Sequence, residues 1–154
     1  MARAIAFGLP LLLLAGALGA QYLGGLYPCE MCHWQRWPHY SAVLIAGGAL
    51  VVPGREMRRS LVLIAALLIA LSGAIGVFHA GVEYHWWNGF TACTTTVSMA
   101  GTTAAEHLAA IMNAPMVRCD SPQWKLLGIS LAGFNAIFSL AGAFTIFALM
   151  RKTR

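Results

Sequence analysis

Charge is what this sequence has least of. Only 10% of its 154 residues are Asp, Glu, Lys or Arg, and five of them are acidic. A soluble domain carries about a quarter of its residues charged, so the polar side chains here are too few to cover a water-exposed globule. Internal repeats and low-complexity tracts are also lacking, which removes solenoids and tails from consideration. What fills the space is apolar: 59% of the residues are hydrophobic, and the mean hydropathy is +0.70. The net charge of +5 does not point to nucleic acid. The basic residues sit beside apolar runs rather than in a stripe, as they do at the ends of membrane spans. The length allows one domain, and a compact helical bundle is its natural use.

A helix needs about 20 mostly apolar residues to cross a hydrocarbon core of roughly 30 Å. Four stretches are read as spans: 4–26, with Pro10 as a kink; 34–52, stopped by Pro53-Gly54; 60–78; and 124–150. The sequence therefore predicts an all-α membrane protein, a four-transmembrane-helix bundle forming one domain over 1–154, with a long second external loop over 79–123. Arg3, Arg55, Arg58, Arg59, Arg151, Lys152 and Arg154 fall on one side of this layout, and Arg36, Arg118 and Lys125 on the other. The positive-inside rule puts both termini and the 53–59 loop in the cytoplasm. Cys29, Cys32, Cys93 and Cys119 are then all external. Tyr27, Trp34, Trp37, Tyr84, Trp86, Trp87 and Trp124 cluster where the outer interface is expected. The first twenty residues also carry elements of a cleaved signal peptide, but their apolar run continues through Leu26 instead of giving way to polar sequence.

Cysteines facing an oxidising space are usually disulfide-bonded, so two structural disulfides are the plain reading. Two features favour redox chemistry. Cys29-Glu30-Met31-Cys32 is a C-x-x-C, a spacing found where thiol pKa values are lowered. It also lies at the mouth of a membrane helix, where a structural staple has little chain entropy to remove. Cys93 and Cys119 share the long loop and can pair without strain. A short pair at the membrane and a long-loop pair together suggest a relay. Cys32 is expected near the N-terminus of the second helix, whose dipole favours a thiolate. Arg36 is one turn later on the same face. An arginine inside a span is costly unless it is paired or reaches the interface, so it either snorkels or holds an anionic sulfur or an acceptor's oxygen.

Cys29 to His33 also spells C-x-x-C-H, the attachment signature of c-type haem. A membrane-anchored haem protein is thus the alternative, with Met99, Met112, Met116, His79 or His107 as possible second axial ligands. That reading leaves Cys93 and Cys119 unexplained, and a membrane helix starts directly after His33. Zinc on the four cysteines fits less well, because the second pair is too widely spaced for a ribbon.

The combination of Pro28-Cys29-Glu30-Met31-Cys32 with Gln35-Arg36, and of Arg118-Cys119-Asp120 ahead of Trp124 and Leu127-Gly128, resembles the DsbB family of bacterial inner-membrane disulfide bond formation proteins. The resemblance spans essentially the whole chain, with His33 departing from the apolar or aromatic residue expected there. It implies a protein dithiol:quinone oxidoreductase that reoxidises a periplasmic thioredoxin-like protein of the DsbA type, the system that keeps the bacterial periplasm oxidising. It further implies that Cys119 forms the mixed disulfide with the partner. Cys93, released as a thiol, then attacks the Cys29–Cys32 disulfide and pairs with Cys29. Cys32 is left as a thiolate against a quinone, ubiquinone or menaquinone, with Arg36 polarising a quinone oxygen. The vitamin K epoxide reductases would place the C-x-x-C near the last helix rather than before the second.

His79 and Glu83, one turn apart, are either a proton shuttle or a satisfied interfacial pair. Asn135 is expected to make an interhelical hydrogen bond, and Gly47, Gly48, Gly73, Gly76 and Gly133 to mark close helix contacts. Thr103-x-x-Glu106 before Leu108, Ile111 and Met112 reads as a capping box on a short amphipathic helix.

Overall fold

The computed structural model describes residues 1–91, 103–112 and 117–152. Cys93, Met99 and Met116 lie outside them. Four long helices, α1 (Ala2–Tyr22), α2 (Glu30–Val51), α3 (Arg55–Glu83) and α5 (Leu131–Lys152), account for most of the described chain. A short helix, α4 (Ala104–Met112), and a two-stranded hairpin, β1 (Lys125–Leu126) with β2 (Ile129–Ser130), complete it. Helix α2 packs on α1 and α3, and α5 packs on the same two from the other side. Three of the helices, α1, α3 and α5, are long and apolar enough to cross a membrane. Their exposed faces carry Leu12, Leu67, Leu71 and Phe144, apolar side chains that suit lipid and not water.

The helix limits differ from the sequence reading for local reasons. Helix α1 stops at Tyr22, short of Leu26, where Gly24-Gly25 follows and Gly25 takes φ +67°. Helix α2 starts at Glu30 rather than Trp34, because Cys29 is its N-cap and its sulfur accepts from the Cys32 N–H at 3.3 Å. Helix α3 starts at Arg55, directly after Gly54, and runs to Glu83, so His79 and Glu83 belong to its last turns and not to the loop. The stretch 124–150 is not one helix. Leu127 and Gly128 both adopt positive φ (52° and 81°), which turns the chain into the hairpin, and α5 begins only at Leu131. Two adjacent positive φ values are a hairpin turn and end any helix. The capping box forms as expected: Thr103 Oγ1 accepts from the Glu106 N–H at 3.2 Å, and Glu106 Oε2 accepts from the Thr103 N–H at 3.0 Å.

The core divides along the helix axes. At the end holding Ala2, Arg3, Arg55, Arg58 and Arg59, it is a dry cluster of small side chains, Ala6, Ala42, Ala46, Ala49, Ala65, Ala66 and Ala143, filled by Ile69 and Ile146. At the other end polar side chains are buried, Gln35, His39, Ser72, His79, Glu83, Ser130 and Ser139, beside a small cluster of Cys29, Met31, Val82 and Cys119. Gly76 lets α3 and α5 touch there, since a Cβ on it would lie 3.0 Å from the Ala136 nitrogen and 3.1 Å from the Ala132 oxygen. Gly73 faces Leu140 and Ser139 in the same way, and Gly133 faces Ile129. Gly47 and Gly48 have only ordinary contacts, with Phe7 and Leu61.

Candidate functional site

The first turn of α2 places the C-x-x-C pair. The sulfurs of Cys29 and Cys32 are 2.9 Å apart, with the Cys29 S–H directed at Cys32. Cys29 is buried and Cys32 half-buried. Cys119 is 1% exposed and packs in the same small cluster as Cys29, Met31 and Val82. The Thr91 hydroxyl lies 3.7 Å from its sulfur. Three of the four expected cysteines thus meet at one spot, and Cys93 lies outside the described residues. Cys119 and Cys32, standing against Cys29, together with burial push the Cys29 thiol up from its ordinary range.

The segment carrying Cys119 is braced locally and clamped on its C-terminal side. Across the cysteine, Arg118 pairs with Asp120, Nε to Oδ1 at 2.8 Å. This holds the Asp120 carboxyl below its ordinary value. After it, the Gln123 side chain clamps the backbone of Tyr27, two residues ahead of Cys29. Its Oε1 accepts from the Tyr27 N–H at 3.1 Å and its Nε2 donates to the Tyr27 carbonyl at 2.5 Å. The loop cysteine is therefore fastened to the strand of chain that leads into the C-x-x-C.

Beside the sulfurs opens a cavity of about 240 Å³ between α1, α2 and α5. Leu12, Leu13, Ala17, Leu26, Phe134 and Phe138 form apolar walls, while Cys32, Arg36 and His39 line it from α2. Arg36 does share the Cys32 side of the helix, as its spacing implies. Its guanidinium, however, is bonded to α1, with Nη1 on Gln21 Oε1 at 2.5 Å and Nη2 on the Ala17 carbonyl at 3.3 Å. A guanidinium has several N–H groups, so these two bonds leave donors for an acceptor in the cavity.

Beneath the sulfurs lies a network that sequence reasoning largely missed. His79 Nε2 sits 3.5 Å from Cys29 Sγ and 3.8 Å from Glu83 Oε1. Its Nδ1 is 2.7 Å from Gln35 Nε2. Gln35 Oε1 accepts from Asn135 Nδ2 at 2.8 Å, and Asn135 also donates to the Ser72 carbonyl at 3.2 Å. Asn135 Oδ1 receives His39 Nε2 at 2.9 Å and the Ser139 hydroxyl at 3.0 Å. Glu83 takes the Ser130 hydroxyl, which in turn accepts the Gly133 N–H at 3.1 Å. Asn135 thus makes the interhelical bonds expected of it, and His79–Glu83 is a buried pair. Gln35, His39, Ser72 and Ser139 carried a signal that could have been read. They are polar residues spaced by helical turns inside apolar helices. Among the described residues, His39 Nδ1 is the buried side-chain nitrogen left with no hydrogen-bond partner.

His33 is exposed while the Cys29 and Cys32 sulfurs turn inward to the cavity, so the C-x-x-C-H does not gather its three groups on one face as haem attachment needs. A metal has a nearer candidate: ligand atoms of Cys29, Cys32 and His79 all lie within 4.8 Å of one another.

The comparisons with known proteins agree with the thiol reading. No solved structure matches the chain. An uncharacterised protein of Rickettsia prowazekii (strain Madrid E) is 23% identical over 128 residues, covering 82% of this chain and 73% of that one. A disulfide bond formation protein B of Aromatoleum aromaticum (strain DSM 19018 / LMG 30748 / EbN1) is 29% identical over 148 residues, covering 90% of this chain and 87% of that one. The family described as disulfide bond formation protein DsbB matches residues 1–149, and with its sulfurs, cavity and apolar helices in place the chain belongs to the DsbB family of oxidoreductases that serve disulfide bond formation.

Proposed function

We propose that this protein is a four-span thiol:quinone oxidoreductase of a bacterial inner membrane that reoxidises a periplasmic thioredoxin-like protein of the DsbA type. The observation that carries the reading is the junction of three things: two sulfurs in contact at a helix start, a loop cysteine packed against one of them, and an apolar cavity that both cysteines of the C-x-x-C line. In this reading α2 is the fourth span, despite its lower hydropathy, because α1 and α3 flank it. The basic end, with Arg3, Arg55, Arg58 and Arg59, faces the cytoplasm and the cysteine end the periplasm.

A thiolate of the partner attacks Cys119 of a Cys93–Cys119 disulfide, forming the mixed disulfide and releasing the Cys93 thiol, which then attacks a Cys29–Cys32 disulfide at Cys29 and leaves Cys32 as the thiolate. The Gln123 clamp on Tyr27 supports this step by holding the loop where its cysteine reaches the C-x-x-C. Each exchange is a thiolate displacing one sulfur of a disulfide. A quinone, ubiquinone or menaquinone, would supply an acceptor for two electrons and two protons. The residues present fit such a group. The walls from Leu12 to Phe138 suit a lipid-soluble ring, Cys32 lines the cavity, and Arg36 has donors for a carbonyl oxygen. Arg36 orients the acceptor, while the apolar walls exclude water from the reacting sulfur.

The test is quinone reduction by the purified protein, driven by a reduced thioredoxin-like dithiol partner. Turnover is expected in wild type and none in Cys32→Ser. No turnover with either ubiquinone or menaquinone, using a partner proven active, would overturn the proposal.

A further inference from the structure

The buried polar network has a direction that can be read from its two backbone anchors. The Ser72 carbonyl accepts from the side chain of Asn135 at 3.2 Å, so the atom facing it must be the amide nitrogen. That same nitrogen faces Gln35 at 2.8 Å, so the Gln35 atom there must be the oxygen. The other end of the Gln35 amide is then its nitrogen. This agrees with the Met31 carbonyl, 3.2 Å away, which can only accept. Turning either amide over would set oxygen against oxygen at Met31 or Ser72 and leave buried groups unsatisfied. Gln35 Nε2 therefore donates to His79 Nδ1 at 2.7 Å. A neutral imidazole that accepts on one nitrogen carries its proton on the other, and the other is the nitrogen 3.5 Å from Cys29 Sγ.

We infer that Gln35, oriented by Asn135, is a positioning residue that locks His79 in the Nε2–H tautomer and aims that N–H at the Cys29 sulfur. Cys29 then has two N–H donors at its sulfur, from His79, whose N–H also faces the Cys119 backbone and stands 3.8 Å from Glu83 Oε1, and from the backbone of Cys32. Within the function proposed above, closing the Cys29–Cys32 disulfide removes one proton and one electron from each thiol, and the quinone class takes up both electrons and both protons. Cys29 holds the S–H between the two sulfurs and must release it to bond to Cys32. The His79 N–H stabilises the negative charge that then develops on Cys29. The same polarity occupies the Nε2 lone pair, so the Cys29, Cys32 and His79 trio is a hydrogen-bonded thiol site and not a metal cage.

The first test needs no variant. Nitrogen NMR of the reduced full-length protein with isotope-labelled histidine is expected to find His79 protonated on Nε2 and bare on Nδ1. A proton on Nδ1 would overturn the inference. The second test uses a protein with Cys29 as its single cysteine (Cys32→Ser, Cys93→Ser, Cys119→Ser) and follows the pH dependence of alkylation. Adding Gln35→Met should move the midpoint up by about one pH unit, a tenfold loss of thiolate at a given pH. An unmoved midpoint would refute the role at Cys29. The charged and titratable groups around this sulfur are Arg36 on α2, His79 and Glu83 on α3, Arg118 and Asp120 in the loop and Lys125 on β1. Gln35→Met leaves all of them in place. Neither test involves quinone or partner, so a failed oxidase assay and a failed tautomer assignment are separate results.

Discussion

The two halves of the helical core solve burial in opposite ways. At the basic end, Ala6, Ala42, Ala46, Ala49, Ala65 and Ala66 are wholly buried and nothing polar is among them. At the cysteine end the helices are joined by side-chain hydrogen bonds whose donors and acceptors must match one by one. Dispersion contacts have no polarity, so the first half depends on volume. The second depends on direction, and one wrong atom there leaves its neighbours unsatisfied. The cysteine cluster sits in the half where orientation is dictated.

Breaking the sulfur junction gives the largest effect. Cys29→Ser or Cys119→Ser should abolish partner-driven turnover while leaving a folded, membrane-inserted protein, checked by the same quinone assay and by thermal unfolding in detergent. Loss of folding in step with activity would mean that the cysteines serve as structure.

Next comes a contrast of volume between the halves. Ile69→Ala, at a fully buried position of the dry half, should cost about 2–5 kcal/mol in unfolding free energy. It should leave turnover per folded molecule unchanged. Asn135→Leu should do the reverse: about 1–3 kcal/mol of stability, but a fall in turnover well beyond it, because Gln35 loses its orienting donor.

Glycine sharpens the comparison further. Gly76→Ala forces a methyl against the α5 backbone at 3.0 Å and should destabilise by about 1–3 kcal/mol. Gly47→Ala meets only the Phe7 ring at 3.5 Å and should stabilise by up to about 1 kcal/mol through helix propensity. Equal melting shifts in the two would refute the assignment of Gly76 to a backbone contact.

The smallest effect is that of pH on the loop. Asp120 is held below its ordinary value of 3.8 by its bond to Arg118. Its folded pKa is the lower one, so its contribution is present above the unfolded value and lost as pH falls through the folded one. Protease cleavage of the 117–123 segment should be flat from neutral pH to about pH 4 and rise only below that. Asp120→Asn should remove the rise.

Much of this was legible in the order of residues. Apolar runs of span length, the breaker at Pro53-Gly54, the capping box at Thr103 and the C-x-x-C beside Arg36 are local patterns, set by chemistry within a few residues. Proximity in sequence put Cys32 and Arg36 on one side of α2, and they line one cavity. The hairpin at Leu127-Gly128 was less legible, because Leu127 is an unusual residue for positive φ and the stretch around it is apolar enough to pass for helix.

What the sequence determined by itself is that the chain must leave water and that its sulfurs come as a short pair and a long-loop pair. Both follow from composition and spacing. Only the tertiary structure decided that Cys119 lies against Cys29, that Arg36 is held by Gln21, and that Gln35, Asn135 and His79 form one directed chain. These contacts join residues far apart in sequence, and a hydrogen bond's direction is settled only when every partner of both groups is in place.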